Sequence, residues 1–178
     1  KYSDVSNIAH ENLDSAPRMH PQDHQLGMFY GIKKVMELKQ EYEKENNFKY
    51  DYVVRMRTDL VMVANFGDIT QYDSTKLHLN SYNATALINQ YKPGTWVEDT
   101  GIAERYVVDI FAMGGSEAMD KYAKVYDNIP KMLEEGYPMH SSDVLIGYNT
   151  FLIEDIPVKR HKSWVYKIYP QAEVYYEG

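Results

Sequence analysis

KYDYVVRMRTDLVMV, residues 49–63, is the stretch that organises the chain. It begins with an apolar, β-branched run of the kind that fills a buried central strand. Because residues two apart in a strand share a face, Arg55, Arg57 and Asp59 are predicted to point the same way. A buried charge is costly unless it is paired or bound to a ligand. The stretch therefore predicts either a structural ion pair between Arg57 and Asp59 or a binding site.

The composition favours one domain and limits the classes of binding partner that the protein can have. A chain of 178 residues with 44% hydrophobic residues is long enough for one well-cored domain, so residues 1–178 are expected to form a single unit. The net charge of -7 argues against sequence-independent nucleic-acid binding, which needs a basic surface. The chain has no cysteine, and no apolar run approaches the roughly 20 residues that span a bilayer. We expect a cytoplasmic protein without a membrane span.

The order of helical and strand patterns predicts an α/β protein. A helix is expected from Asp23 to Asn46, and a second helix from Ser116 that stops before Pro130. A further helix is expected to begin at Ser141 or Ser142, with Asp143 in its first turn. Strand patterns cover residues 50–63, 77–80, 106–113, 158–161 and 164–169, with a long loop between 81 and 105. This order suits a three-layer sandwich.

The charges of the central stretch lie where ligands bind in such proteins. In open α/β sheets, ligands sit outside the carboxyl ends of the strands, and Asp59 is predicted to lie where its strand leaves the core. Arginine prefers phosphate in bidentate geometry, and a carboxylate beside it can hold a divalent cation that bridges phosphates. A diphosphate leaving group uses both kinds of charge. Arg55 is expected to lie deepest and to pair with a buried acid such as Asp109.

Residues 50–60, YDYVVRMRTDL, resemble a "YDyvvRxRxDl" signature. The signature belongs to a group of glycosyltransferases and glycosyltransferase-like proteins with the GT-A fold, which includes viral enzymes of capsid glycosylation and bacterial polysaccharide-synthesis proteins. The similarity extends over roughly residues 20–155. It implies a Rossmann-like three-layer sandwich with a mixed central sheet. The first strand of that fold is not found in this chain, and we expect it to be missing.

The resemblance also implies roles for five residues. In GT-A enzymes the corresponding strand end has an Asp-x-Asp motif, which holds Mn²⁺ or Mg²⁺ against the diphosphate of a nucleotide sugar such as a UDP-sugar. Asp59 takes the place of the second acid and is the implied metal ligand, whereas Arg57 stands where the first would be. Arg55, Arg57, Asp59 and Asp109 would bind the donor. Asp143 would act as the base that activates a hydroxyl of a glycan or glycoprotein acceptor.

Other functions remain open. The sequence lacks the GxxxxGK[ST], GxGxxG, HExxH and GxSxG motifs. The strongest sequence evidence for a kinase, a dehydrogenase, a zinc protease or a serine hydrolase is therefore missing. A non-catalytic glycan-binding or assembly module could use the 17 tyrosines for recognition. A metal-dependent phosphohydrolase could hold its metal with Asp59 and Asp109. Asp143 could equally be an acid that the helix dipole favours in a first turn.

Overall fold

The structure is a computed structural model that describes residues 22–58, 60–62, 66–80, 107, 109–135, 142–161 and 166–168. For residues 22, 23, 60–62 and 166–168 it describes the backbone alone. These parts of the chain confirm an α/β architecture. The α-helices are α1 (Gln22–Asn46), α2 (Ser116–Ala123), α3 (Val125–Glu134) and α4 (Ser142–Tyr148), and the strands are β1 (Val53–Met56), β2 (Leu60–Met62), β3 (Leu77–Asn80), β4 (Phe111–Gly114), β5 (Val158–His161) and β6 (Tyr166–Ile168).

Four of the strands form one mixed sheet in the order β1-β4-β3-β5. Strand β4 pairs antiparallel with both β1 and β3, whereas β3 and β5 are parallel. Strands β1, β3 and β5 therefore run in one direction, and their carboxyl ends share one edge of the sheet with the amino end of β4. Strands β2 and β6 form a separate antiparallel pair.

The prediction of one long, buried central strand over residues 50–63 is wrong in two respects. The stretch forms two short strands in different sheets, and Arg57 and Thr58 between them belong to neither. Within the described sheet β1 lies at an edge, where the side chains of Val54 and Met56 are 49% and 48% exposed. The predicted alternation is confirmed for the two arginines, because Arg55 and Arg57 are less exposed than Val54, Met56 and Thr58. The third residue of that face, Asp59, lies outside the described residues.

The core lies between the helices and one face of the sheet. Helix α1 packs against α2 and α3 through apolar residues that recur at helical spacing. The buried side chains of this layer include Leu26, Phe29, Ile32 and Met36 of α1, Met119 and Tyr122 of α2, and Ile129 and Met132 of α3. No helix in the described part of the chain combines the length and the apolar composition that crossing a bilayer requires.

The predicted end of a helix before Pro130 is also wrong. The chain breaks instead at Lys124, and Pro130 lies inside α3. A proline inside a helix removes one backbone hydrogen bond. Helix α3 continues past it because Val125, Ile129 and Met132 bury one apolar face against the core.

A buried ionic cluster fixes the start of β1 against the helical layer. Glu43 of α1 is 1% exposed and accepts hydrogen bonds from the backbone N–H of Tyr50 at 3.0 Å and from Lys39 and Lys49. Burial alone would raise the pKa of Glu43, but the hydrogen bonds that Ser116, Tyr50, Lys49 and Lys39 donate outweigh it and lower that pKa to about 2. The carboxylate therefore stays charged at neutral pH and holds the strand in position.

Candidate functional site

Polar side chains gather at the edge of the sheet where β1, β3 and β5 end. Arg57 directly follows β1, and Asp109 lies in the turn just before β4. The backbone N–H of Arg57 donates to the carbonyl of Ile110 at 3.1 Å, which continues the β1–β4 pairing by one residue. The prediction that Asp109 lies within a strand is therefore wrong, because β4 begins only at Phe111. Because the strand begins two residues after Asp109, Asp109 lies at the edge of the sheet where ligands bind in open α/β proteins.

Asp109 connects β1 to the start of helix α4. Its Oδ1 lies 3.8 Å from Nη1 of Arg57, and its Oδ2 accepts a hydrogen bond of 2.8 Å from the hydroxyl of Ser142. The backbone N–H of Asp109 donates to Oδ1 of Asp143 at 2.6 Å. The backbone N–H of Val107 donates to the carbonyl of the same Asp143 at 3.3 Å. Asp109, Asp143 and Arg57, which were all predicted to belong to the site, thus form one connected cluster.

Arg55 extends from the same face of β1 towards a buried tyrosine of α2. Tyr122 is fully buried, and neither its hydroxyl nor Nη1 of Arg55 has a hydrogen-bond partner among the described residues. The Arg55 charge and the carboxylates of Asp109 and Asp143 all act on the Tyr122 hydroxyl. Burial raises the pKa of Tyr122, Arg55 opposes this rise, and the two carboxylates add to it, so the hydroxyl is neutral at pH 7.

The predicted partner of Arg55 differs from the observed arrangement. In the described part of the chain, Asp109 forms its ion pair with Arg57 rather than with Arg55. Arg57 reaches Asp109 because it follows the last paired residue of β1, whereas Arg55 lies under the helical layer beside Tyr122. The guanidinium of Arg55 and the hydroxyl of Tyr122 are both buried and act on each other directly.

Asp59, the predicted metal ligand, lies outside the described residues, and so does the predicted pairing of Arg57 with Asp59. Among the residues that the structure describes, no group of three or more His, Cys, Asp or Glu side chains is arranged to hold a metal ion. Both oxygens of Asp109 face protein groups, and Oδ1 of Asp143 accepts a backbone hydrogen bond.

The sequence patterns did not predict the roles of Tyr122 and Ser142, nor the contact between His78 and His161. Tyr122 appears in the sequence only as part of an apolar helical stripe, and Ser142 only as a helix cap. A further pair joins β3 to β5, where Nδ1 of His78 lies 2.9 Å from Nε2 of His161. Two histidines in separate short strands carry no local signal that they meet, because only the parallel pairing of β3 with β5 brings them together.

Searches against family models, curated proteins and solved structures found no match to the chain. The geometry of the site is therefore the basis for its interpretation: one arginine, two carboxylates and a serine meet at the carboxyl edge of a mixed sheet, and a second arginine is buried beside a tyrosine of the helical layer.

Proposed function

We propose that the protein is a glycosyltransferase of GT-A type, which moves a sugar from a nucleoside-diphosphate donor to a hydroxyl of a glycan or glycoprotein. The observation that supports this most is the connected cluster of Arg57, Asp109, Ser142 and Asp143, which lies at the carboxyl edge of the sheet. A guanidinium in that position suits a phosphate group. The resemblance of residues 50–60 to the glycosyltransferase signature supplies the class of reaction.

In the proposed reaction the acceptor oxygen forms a bond to the anomeric carbon while the bond from that carbon to the diphosphate breaks. The nucleoside diphosphate leaves with the electron pair, and the acceptor proton passes to a base. Arg55 and Arg57 offset the charge that develops on the leaving group. Interactions of this kind typically contribute about 3 kcal/mol or more each to transition-state stabilisation.

We assign the base to Asp143. The hydrogen bond from the Asp109 backbone fixes the orientation of its carboxylate, and the first turn of α4 places it at the sheet edge. Asp109 holds Arg57 through its Oδ1 and is itself held by Ser142, which makes it an organising residue of the site. A divalent cation, Mn²⁺ or Mg²⁺, remains a prediction that rests on Asp59.

Transfer activity tests the role of Asp59. We expect Asp59→Ala to lose at least 99% of the transfer from a labelled nucleotide sugar in Mn²⁺ while keeping the wild-type circular dichroism spectrum, since a charge against the diphosphate is removed. Glu134→Ala, at an exposed acid near the end of α3, is the matched control and should keep full activity. Full transfer by folded Asp59→Ala would contradict the assignment.

Simple measurements distinguish two alternative functions from the proposed one. A non-catalytic glycan-binding module would show no heat of binding with UDP- or GDP-sugars, with or without Mn²⁺, whereas the transferase should bind one of them. A metal-dependent phosphohydrolase would release inorganic phosphate from the donor without transferring sugar.

A further inference from the structure

The segment that leads into β3 lies against the face of the sheet opposite the helices. His78 lies between two core-facing leucines of β3 and therefore points to that opposite face. Residues 66–74, here called the cover segment, contact this face through two rings. Phe66 stacks on Phe111 of β4 with ring centroids 5.1 Å apart, and the ring of Tyr72 lies edge-on to His78 with centroids 5.3 Å apart.

Two backbone carbonyls of the cover segment are bonded to the rest of the fold. Nε2 of His78 lies 2.8 Å from the carbonyl oxygen of Asp73, and the backbone N–H of Gly115 donates to the carbonyl of Ser74 at 2.8 Å. The first bond involves a side chain that titrates near neutral pH, whereas the second joins backbone groups only. The attachment of the segment therefore depends in part on the protonation of a histidine.

His78 is held in turn by a histidine of β5. Its Nδ1 lies 2.9 Å from Nε2 of His161, and the ring of Tyr72 also lies edge-on to His161, with centroids 5.3 Å apart. Because Nε2 of His78 faces a carbonyl oxygen, Nε2 carries the proton and Nδ1 accepts from the N–H of His161. The order of donors and acceptors is thus fixed from β5 to the cover segment.

The charged groups around the pair favour its neutral form. Lys159 of β5 adds positive charge, and burial and the charges of His78 and Lys159 lower the pKa of His161. The carboxylate of Asp73 is bonded to Thr75 and Lys76 of its own segment. On the β4 side, the register partner of His78 is an uncharged methionine.

The pair can accept one additional proton but not two. A proton on Nδ1 of His161 leaves the bond between the two rings intact. A second proton, on Nδ1 of His78, would set two N–H groups against each other across 2.9 Å and place two positive charges side by side. Apart from each other, both histidines can be protonated. The separated pair therefore binds more protons than the bonded pair, and acid favours separation.

We propose that His78 and His161 form a pH-sensitive latch, which holds the cover segment against the sheet at neutral pH and releases it when both histidines are protonated. Release would uncover Phe111, which is 1% exposed in the latched arrangement. This inference does not depend on the proposed catalytic function.

Hydrogen exchange at the Gly115 amide, measured by NMR and corrected for the intrinsic rate at each pH, reports the release, because this amide donates to the cover segment. We expect its opening equilibrium constant to increase by about tenfold or more from pH 7.5 to pH 5.5. The amide of Ile129, a buried residue of α3, reports unfolding of the helical core. At pH 5.5 its opening constant should be at least tenfold smaller than that of Gly115.

His161→Gln removes one titrating ring and keeps a partner for His78. Its side-chain amide can donate to the neutral ring of His78 or accept from the charged one, so the change in the Gly115 opening constant between the two pH values should fall below twofold. His24→Gln is the matched control, because His24 is exposed on α1, and it should keep the wild-type pH dependence.

Three results would overturn the proposal. The wild-type opening constant of Gly115 could be the same at both pH values, which requires no variant to establish. His161→Gln could keep the wild-type pH dependence. Gly115 and Ile129 could open with equal constants at pH 5.5, which would mean that acid unfolds the core rather than releasing the cover segment.

Discussion

At the scale of single residues, the site shows which signals the sequence contains and which it lacks. The alternation of Arg55 and Arg57 along one strand face follows from the period of two, so both arginines could be predicted to point inward. The contact of Arg57 with Asp109 could not, because it depends on where β1 ends and on a turn 52 residues further along the chain. Local sequence patterns do not encode such distant pairings.

Tyr122 links stability to binding at this scale. Its buried hydroxyl lacks a hydrogen-bond partner among the described residues, and burying such a group costs about 1–3 kcal/mol. We expect Tyr122→Phe to raise the free energy of unfolding by about 1 kcal/mol and to weaken donor binding at least fivefold. Urea titration and calorimetry measure the two effects.

The control for Tyr122→Phe is Tyr126→Phe, which removes a hydroxyl from the neighbouring helix α3. It should leave the donor affinity unchanged, because Tyr126 packs on Tyr30 and Lys33 of α1 rather than on the arginines. If Tyr122→Phe binds the donor as tightly as wild type, the hydroxyl takes no part in the site.

At the scale of elements, short strands were harder to predict than helices. The long helix α1 was predicted to within one residue, because its apolar positions repeat over many turns. The stretch 50–63 contains enough β-branched and apolar residues for one strand, but pairing with β4 on one side and with β6 further along divides it. The extent of a strand depends on its partners, which local sequence does not specify.

The join between β4 and α2 depends on a glycine. A Cβ built on Gly115 would lie 2.6 Å from the carbonyl oxygen of Ser74, closer than real Cβ atoms approach. We expect Gly115→Ala to lower the free energy of unfolding by roughly 2 kcal/mol, since the backbone must move. Gly31→Ala is the matched control: a Cβ there meets no described atom within 4 Å, and the helix should gain about 0.5–1 kcal/mol. Equal stability of the two variants would contradict the packing at Gly115.

The histidine pair makes the junction of β3 and β5 sensitive to acid. Nε2 of His78 lies 2.8 Å from the carbonyl oxygen of Asp73 and therefore carries its proton, so Nδ1 accepts the hydrogen bond from His161. Burial, followed by the charges of His78 and Lys159, lowers the pKa of His161 below its usual 6.5. Between the lowered pKa of His161 in the folded chain and its pKa of 6.5 in the unfolded chain, the unfolded chain binds more protons than the folded chain. The stabilisation is complete above pH 6.5 and is lost as the pH falls below it.

We expect the free energy of unfolding to fall between pH 7.5 and 5.5, a range in which His161 becomes protonated on unfolding. His161→Gln should reduce this fall, because its amide does not titrate and can either donate to His78 or accept from it. Urea titrations of both proteins at the two pH values provide the measurement. An identical pH dependence in wild type and variant would show that the pair contributes nothing to it.

At the scale of the whole molecule, the sheet brings distant polar residues to one edge. Its order, β1-β4-β3-β5, aligns the ends of β1, β3 and β5 with the start of β4. The α/β class could be predicted from the order of helical and strand patterns. The strand order and the edge position of β1 could not, because they depend on pairings between residues as distant as Leu77 and Val158. The proposed transferase function depends on that shared edge.

The most direct test of the proposed function is the release of nucleoside diphosphate from the donor. The protein is incubated with a panel of UDP- and GDP-sugars in Mn²⁺ and a mixed pool of glycan acceptors, and free UDP and GDP are measured by chromatography. We expect wild-type protein to release the diphosphate from at least one donor, and Arg57→Gln to release it at least tenfold more slowly. Failure of wild-type protein to release UDP or GDP from any donor would contradict it.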